Sequence, residues 1–191
     1  MGKRQSVLLT TSRKPTANMR TLCRDLSCVF PNLIRINRGK LSLEGIAEEA
    51  RGFDVDRVTI ISRWEKGLGK IEFFELAGDD LRNALPTAYL REARFRRDFG
   101  QQVSKETKIE SIVITAVSKE NFDVKKFEDF LASFFNIPVL SLEEPVPSNY
   151  DAAMQILVDH SKRMTITFRL IPGLTEIGPR IGISHLTWKV T

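Results

Sequence analysis

Arginine and lysine are the residues of this 191-residue chain whose types and spacing could do chemistry. Arg13, Lys14, Arg20, Arg35, Arg38 and Lys40 lie near the start, Arg94, Arg96 and Arg97 in the middle, and Arg169, Arg180 and Lys189 towards the end. A guanidinium or ammonium neutralises phosphate, and a guanidinium also stacks on an exposed base, so these twelve are candidate RNA contacts. Tyr89 and Phe95, among the middle arginines, could stack bases, though core packing is their simpler role. Catalytic patterns are missing by contrast. Gly67-Leu68-Gly69-Lys70 lacks phosphate-loop spacing and the Ser/Thr that should follow. Glu143-Glu144 and Asp79-Asp80 are adjacent acids in polar connections, better placed for solvation than for acid–base work. His160 and His185 have no cysteine or carboxylate at ligand spacing, so no metal, cofactor or small-molecule substrate is expected. Two cysteines, Cys23 and Cys28, cannot make a disulfide framework and are assigned to core packing.

The elements that must position these residues follow from periodicity. Val7–Thr11 is an apolar, β-branched run that ends before Pro15, which can only begin a helix. Met19, Leu22, Cys23, Leu26 and Val29 form one helical stripe, with Thr16 as N-cap and Pro31 as stop, while Arg20 and Arg24 sit one turn apart away from it. Residues 33–38 read as a half-buried strand, and Ser42 caps a second helix with Leu43, Ile46, Ala47 and Ala50 inward. Residues 57–64 and 70–77 form a hairpin about a glycine-bearing turn. Residues 79–85 read as a short helix, and the basic stretch and polar tract up to 109 as a linker. Strands follow at 111–117 and 137–142, the latter short or at an edge because of Pro138. Between them Asn121 or Asp123 caps a helix striped by Phe127, Phe130, Leu131 and Phe134. After a turn at 145–148, Asn149 caps a helix carrying Ala153, Ile156, Leu157 and His160, then strands occupy 164–171 and 180–190. The last one changes parity near Ser184-His185, which calls for a bulge.

Both halves therefore read β-α-β-α-β-β at a near-constant offset, which implies a tandem of two similar α/β units. The division is 1–103, with its linker at 78–109, and 104–191. A hydrophobic content of 42% suits a globular domain with a core, and no apolar run approaches a membrane span. The opening MGKRQSVLL is too short in its apolar part for a signal peptide, so a cytoplasmic protein is expected. Charge is unevenly spread. Residues 1–40 hold nine basic residues and one acid (+8), and residues 161–191 hold five and one (+4), leaving −7 for 41–160. If the basic ends meet, Arg13, Lys14, Arg35, Arg38 and Arg180 line one face towards a polyanion.

Thr11-Ser12-Arg13-Lys14-Pro15 after the first strand, Arg38-Gly39 before the second helix and Glu176-Ile177-Gly178-Pro179-Arg180 before the last strand occur in the order of a known family. The chain resembles the Brix-domain proteins, rRNA-binding factors of ribosome assembly, over nearly its whole length. Pro86-Thr87-Ala88-Tyr89 is similar to the family's Gly-Pro-Thr stretch, with Leu85 replacing the glycine. The resemblance implies a single domain over 1–191, made of two halves like the anticodon-binding domains of class II aminoacyl-tRNA synthetases. It is greatest to the branch tied to small-subunit rRNA processing with a small nucleolar RNP, and to the short archaeal form. A non-catalytic factor for pre-rRNA processing and subunit assembly is then expected, with ribosomal RNA as partner and ribosomal or other assembly-factor proteins beside it. The alternatives are a protein-interaction scaffold, an RNA binder of the tRNA-anticodon type, and an enzyme with an unrecognised site, which would need perturbed titratable groups in a pocket.

Overall fold

The computed structural model describes residues 6–100, 108–116, 122–141 and 149–189. Val7–Thr11 (β1) leads to helix α1, Ala17–Val29, whose N-cap Thr16 accepts a hydrogen bond from the Met19 amide at 3.2 Å. Leu33–Arg35 (β2) is followed by α2, Leu43–Gly52, where Ser42 accepts from the Gly45 amide at 3.1 Å. Arg57–Ser62 (β3) and Gly69–Ala77 (β4) are the expected hairpin. Asp80–Arg94 (β5) comes next, then a 3-10 turn at Arg96–Phe99. Ile112–Ala116 (β6), Phe122–Phe135 (α3), Val139–Ser141 (β7), Ala152–Val158 (β8), Met164–Leu170 (β9) and Arg180–Thr187 (β10) complete the chain.

All ten strands form one sheet in the order β2-β1-β3-β4-β5-β10-β9-β8-β6-β7. β1 is parallel to β2 and β3, β6 is parallel to β7 and β8, and every other pairing is antiparallel. Order and direction therefore read the same from either edge, with the antiparallel β5–β10 pair at the centre. Helices α1 and α3 share one face. Met19, Leu22 and Leu26 pack there in one cluster with Phe127, Leu131, Phe134 and the inward residues of eight strands. Phe30, just after α1, stacks on Phe135 at 4.8 Å and meets Phe168 edge-on at 5.4 Å. Across that seam, Asn32 Nδ2 and Arg57 Nη1 donate to carbonyls at the C-terminal end of α3. Helix α2 lies on the other face, over Leu8, Val58, Ile60 and Phe74.

Leu43, at the start of α2, is 45% exposed rather than inward, and other expectations fail with it. Residues 79–85 are not a helix, because Asp80–Arg94 pairs with both β4 and β10. The helix capped by Asn149 is strand β8, so no second-half counterpart of α2 stands among the described residues, and β8 rather than β9 pairs with β6 as β3 pairs with β1. The apolar run 152–158 is buried on both faces, with Ala152, Ala153 and Met154 at most 1% exposed, and such a run fits helix and strand periods alike. Cys28 is exposed, whereas Cys23 packs in the core, where burial, against an opposing effect of Arg35, pushes its thiol up to about 12. The expected bulge is present as a register shift between Ile183 and His185. The polar tract at 101–107, the Asn121 cap, Glu143-Glu144 and the 145–148 turn lie outside the described residues.

Candidate nucleic-acid interface

The candidate residues gather in two places. The first is a cleft of about 270 Å³ at the C-terminal ends of β1 and β2, lined by Arg20, Arg35, Asn37 and Arg38 together with Thr11 and Pro15. Open α/β sheets bind ligands at such strand ends. Thr10 Oγ1 donates to the Ile36 carbonyl at 3.1 Å, which ties the tail of β2 to β1 and aims the segment into the cleft. Arg20 Nη1 donates to the Pro15 carbonyl at 2.9 Å. Arg38 Nε and Arg13 Nε both donate to the Leu41 carbonyl, at 2.7 and 3.2 Å. Two guanidinium groups thus converge on one neutral acceptor.

Arg38 is only 8% exposed, against the expectation of a surface charge. Burial first, and the charge of Arg13 second, hold its pKa below the usual guanidinium value. A buried cation ordinarily has a carboxylate beside it. Among the described residues none is within ion-pair distance of Arg13, Arg20, Arg35 or Arg38. Glu44, in the first turn of α2, senses the charge of Arg13, although its carboxyl is held low mainly by Ser42 and its own backbone amide. Lys14 and Lys40 are exposed on the flanking turns, at positions next to Pro15 and to Gly39, whose φ is +52°.

The second place is a groove of about 530 Å³ on the α2 face of the sheet, beyond α2, over the C-terminal end of β5 and over β10, β9 and β8. Arg94, Arg169 and Arg180 line it with Glu92, Glu176 and Asp159. Arg180 pairs with Glu176, Nε to Oε1 at 2.7 Å, and that carboxylate first of all holds its pKa above the usual value. Arg94 and Arg180 both lie over the ring of Phe99, at 4.7 and 5.8 Å from its centroid. Gly178, at φ +62°, brings the chain so close to that ring that a Cβ would sit 2.5 Å from it. Arg96 and Arg97 sit on the 3-10 turn beside the groove, with Arg97 over Phe95 at 5.3 Å and the Arg96 amide donating to buried Asp25 at 2.8 Å. Lys189 is exposed beyond the end of β10.

The five charges expected on one face are therefore divided. Arg13, Lys14, Arg35 and Arg38 surround the end of β1, which is level with Leu186; Arg180 lies four strand spacings across the sheet, roughly 19 Å, and six residues along β10, roughly another 20 Å. The two basic ends were expected to meet; instead β10 pairs with β5. Phe95 is buried, as core packing requires, while Tyr89 is half-buried on the α2 face, stacked on His185 at 4.4 Å with Trp64 edge-on at 5.1 Å. The reading of the sequence missed this ring cluster and also Arg91, whose Nη1 donates to the Ile183 carbonyl at 3.2 Å. Neither had a local signal, since their partners come from distant strands.

No protein-family model matches the chain. A Thermococcus kodakarensis protein named probable Brix domain-containing ribosomal biogenesis protein is 24% identical over 183 residues, covering 92% of this chain and 88% of that one. Its Pyrococcus abyssi namesake is 33% identical over 94 residues, 49% of this chain and 42% of that one. Two crystal structures share the fold. A probable ribosomal biogenesis protein from Aeropyrum pernix superposes with a TM-score of 0.77, at 21% identity and 97% coverage of both chains. Mil, an archaeal Imp4-like protein, superposes at 0.61, with 22% identity, over 95% of this chain and 99% of that one.

Proposed function

We propose that this chain, a homologue of the archaeal Brix-domain ribosomal biogenesis proteins, acts in ribosome biogenesis as a non-catalytic binder of ribosomal RNA. One observation carries the RNA reading: the arginines at the ends of β1 and β2 have no carboxylate within ion-pair distance among the described residues, and one of them is buried. A desolvated cation held beside a second cation is costly unless an anion arrives, and RNA phosphates are anions presented at regular spacing. Arg13 and Arg35 reach phosphate from the rim, Arg38 from within, and Arg20 from the first turn of α1. The mirrored strand order supports a further element of the proposal, that the fold arose by duplication of a half-domain of the anticodon-binding type.

Binding of single-stranded ribosomal RNA fragments at several salt concentrations tests this reading. Each neutralised phosphate contributes about −0.7 to the log–log salt slope, so R13Q/R35Q should weaken binding and flatten the slope by about 1.4. Lys125→Gln, on the exposed side of α3, should leave the slope unchanged. Equal effects of the two variants would mean diffuse attraction without a defined site, and absence of measurable RNA binding would remove the RNA role altogether.

A further inference from the structure

The two groups of arginines differ in one respect that bears on what each can recognise. At the ends of β1 and β2 no carboxylate among the described residues is within ion-pair distance of the cations, and Glu44 acts on Arg13 only from farther off; in the groove on the other half of the sheet they are interleaved with acids. Arg94, Arg169 and Arg180 line it with Glu92, Glu176 and Asp159, which are themselves paired with Arg91, Arg180 and Arg163, so the lining is close to neutral. A nearly neutral groove has little pull on a phosphate, but it presents both donors and acceptors. The edge of a nucleobase needs that mixture, because guanidinium forks meet ring nitrogens and carbonyls while carboxylates accept from amino and imino groups.

We infer that this groove reads an unpaired base of the RNA whose backbone is held at the β1–β2 cleft. The inference rests on the RNA-binding reading above and adds the division of labour between the two sites: phosphate contacts position the strand, and base contacts specify it. Three features fit a built site. The groove, at about 530 Å³, has room for a nucleotide. Its floor at β10 is Gly182, whose missing side chain makes room for the Arg91–Glu92 pair: a Cβ there would come within 2.8 Å of Glu92 and 3.0 Å of Arg91. Arg169 Nε is buried and has no hydrogen-bond partner among the described residues, a donor that the protein itself leaves unused. The Arg94 guanidinium is held over Phe99, which limits the orientations in which it can offer its fork, while Glu176 occupies the fork of Arg180 through Nε and Nη2.

The probes are homopolymeric RNA oligonucleotides of the four bases, each measured across a range of salt. The wild-type protein should prefer one base by about tenfold, within the span that one bidentate base contact provides. Arg169→Lys keeps the charge and loses the planar fork; it should level the preference to within about twofold while leaving the salt slope unchanged. Arg94→Gln, at an exposed position, should reduce the preference without depending on the buried site for folding. Equal affinity of the wild-type protein for all four oligonucleotides overturns the inference and leaves the RNA-binding reading standing. So does a preference that survives both substitutions. Failure to bind any of the four, or the ribosomal fragments, overturns both.

Discussion

Replacement of buried Arg38 by methionine separates a residue kept for a ligand from one kept for the fold. The substitution removes the bond from Nε to the Leu41 carbonyl, which as a charge-assisted bond would be worth about 1.5–3 kcal/mol if its loss orphaned the acceptor. Leu41 is not orphaned, because Arg13 Nε still reaches it at 3.2 Å, so the cost falls to about 1 kcal/mol. Against that stands the burial of a guanidinium with no anionic partner among the described residues, which costs several kcal/mol even after relaxation and water penetration (on the order of 2 or more here), and its repulsion by Arg13. The balance is a gain of about 1 kcal/mol, which for a chain of this length raises Tm by about 2–4 °C. Thermal melts in low-salt, phosphate-free buffer read this directly. Addition of RNA should then reverse the order, since only the wild-type protein retains its full anion site. A variant that melts more than about 4 °C below wild type without RNA would show that Arg38 stabilises the loop before α2, and the argument from an uncompensated charge would fail.

Two further outcomes concern the frame that holds the sites. Arg57→Ala should destabilise the protein by about 1–2 kcal/mol in urea titrations, because Nη1 reaches the carbonyls of Ser133 and Phe134 at 2.8 and 2.9 Å where the dipole of α3 favours a cation. Asp151 joins β6 to β8. Burial opposes its ionisation, but the amides of Glu110 and Ser111 and the Ser111 hydroxyl hold its carboxyl below the ordinary aspartate value. Its contribution is therefore complete above the unfolded pKa, near 4, and is lost as pH falls through the lower folded value. The stability of Asp151→Asn should accordingly change less with acidification than that of the wild-type protein.

Elements with one buried face and local caps were legible from the sequence. The stripe of α1, the caps at Thr16 and Ser42, the β3–β4 hairpin and the parity change in β10 all stand where the periodicity put them. Strands β5 and β8 were not. β5 is irregular against both neighbours, with shifts between Ile71 and Phe73 and around Ile183, and its burial alternates only from Pro86 onward. β8 is apolar on both faces and carries no alternation to read. The individual arginines could be named from their types, but their grouping depended on β10 pairing with β5, a contact that no local pattern announces. Arg38 shows the limit most clearly, because its burial follows from the path of the β2–α2 loop rather than from its neighbours in sequence.

The mirrored order of the sheet also governs how the protein avoids sticking to itself. A sheet exposes unpaired backbone only at its two outer strands, and those here are β2 and β7, of three residues each. Strands that short offer a poor template to another chain. The fifteen-residue β5 is the long edge that the first half would present alone, and β10 covers its C-terminal part. During synthesis that cover arrives only after β6 to β9 have been made. The interval in which β5 waits for β10 is thus the period when a nascent chain is most open to pairing with a neighbour, and completion of the central seam ends it.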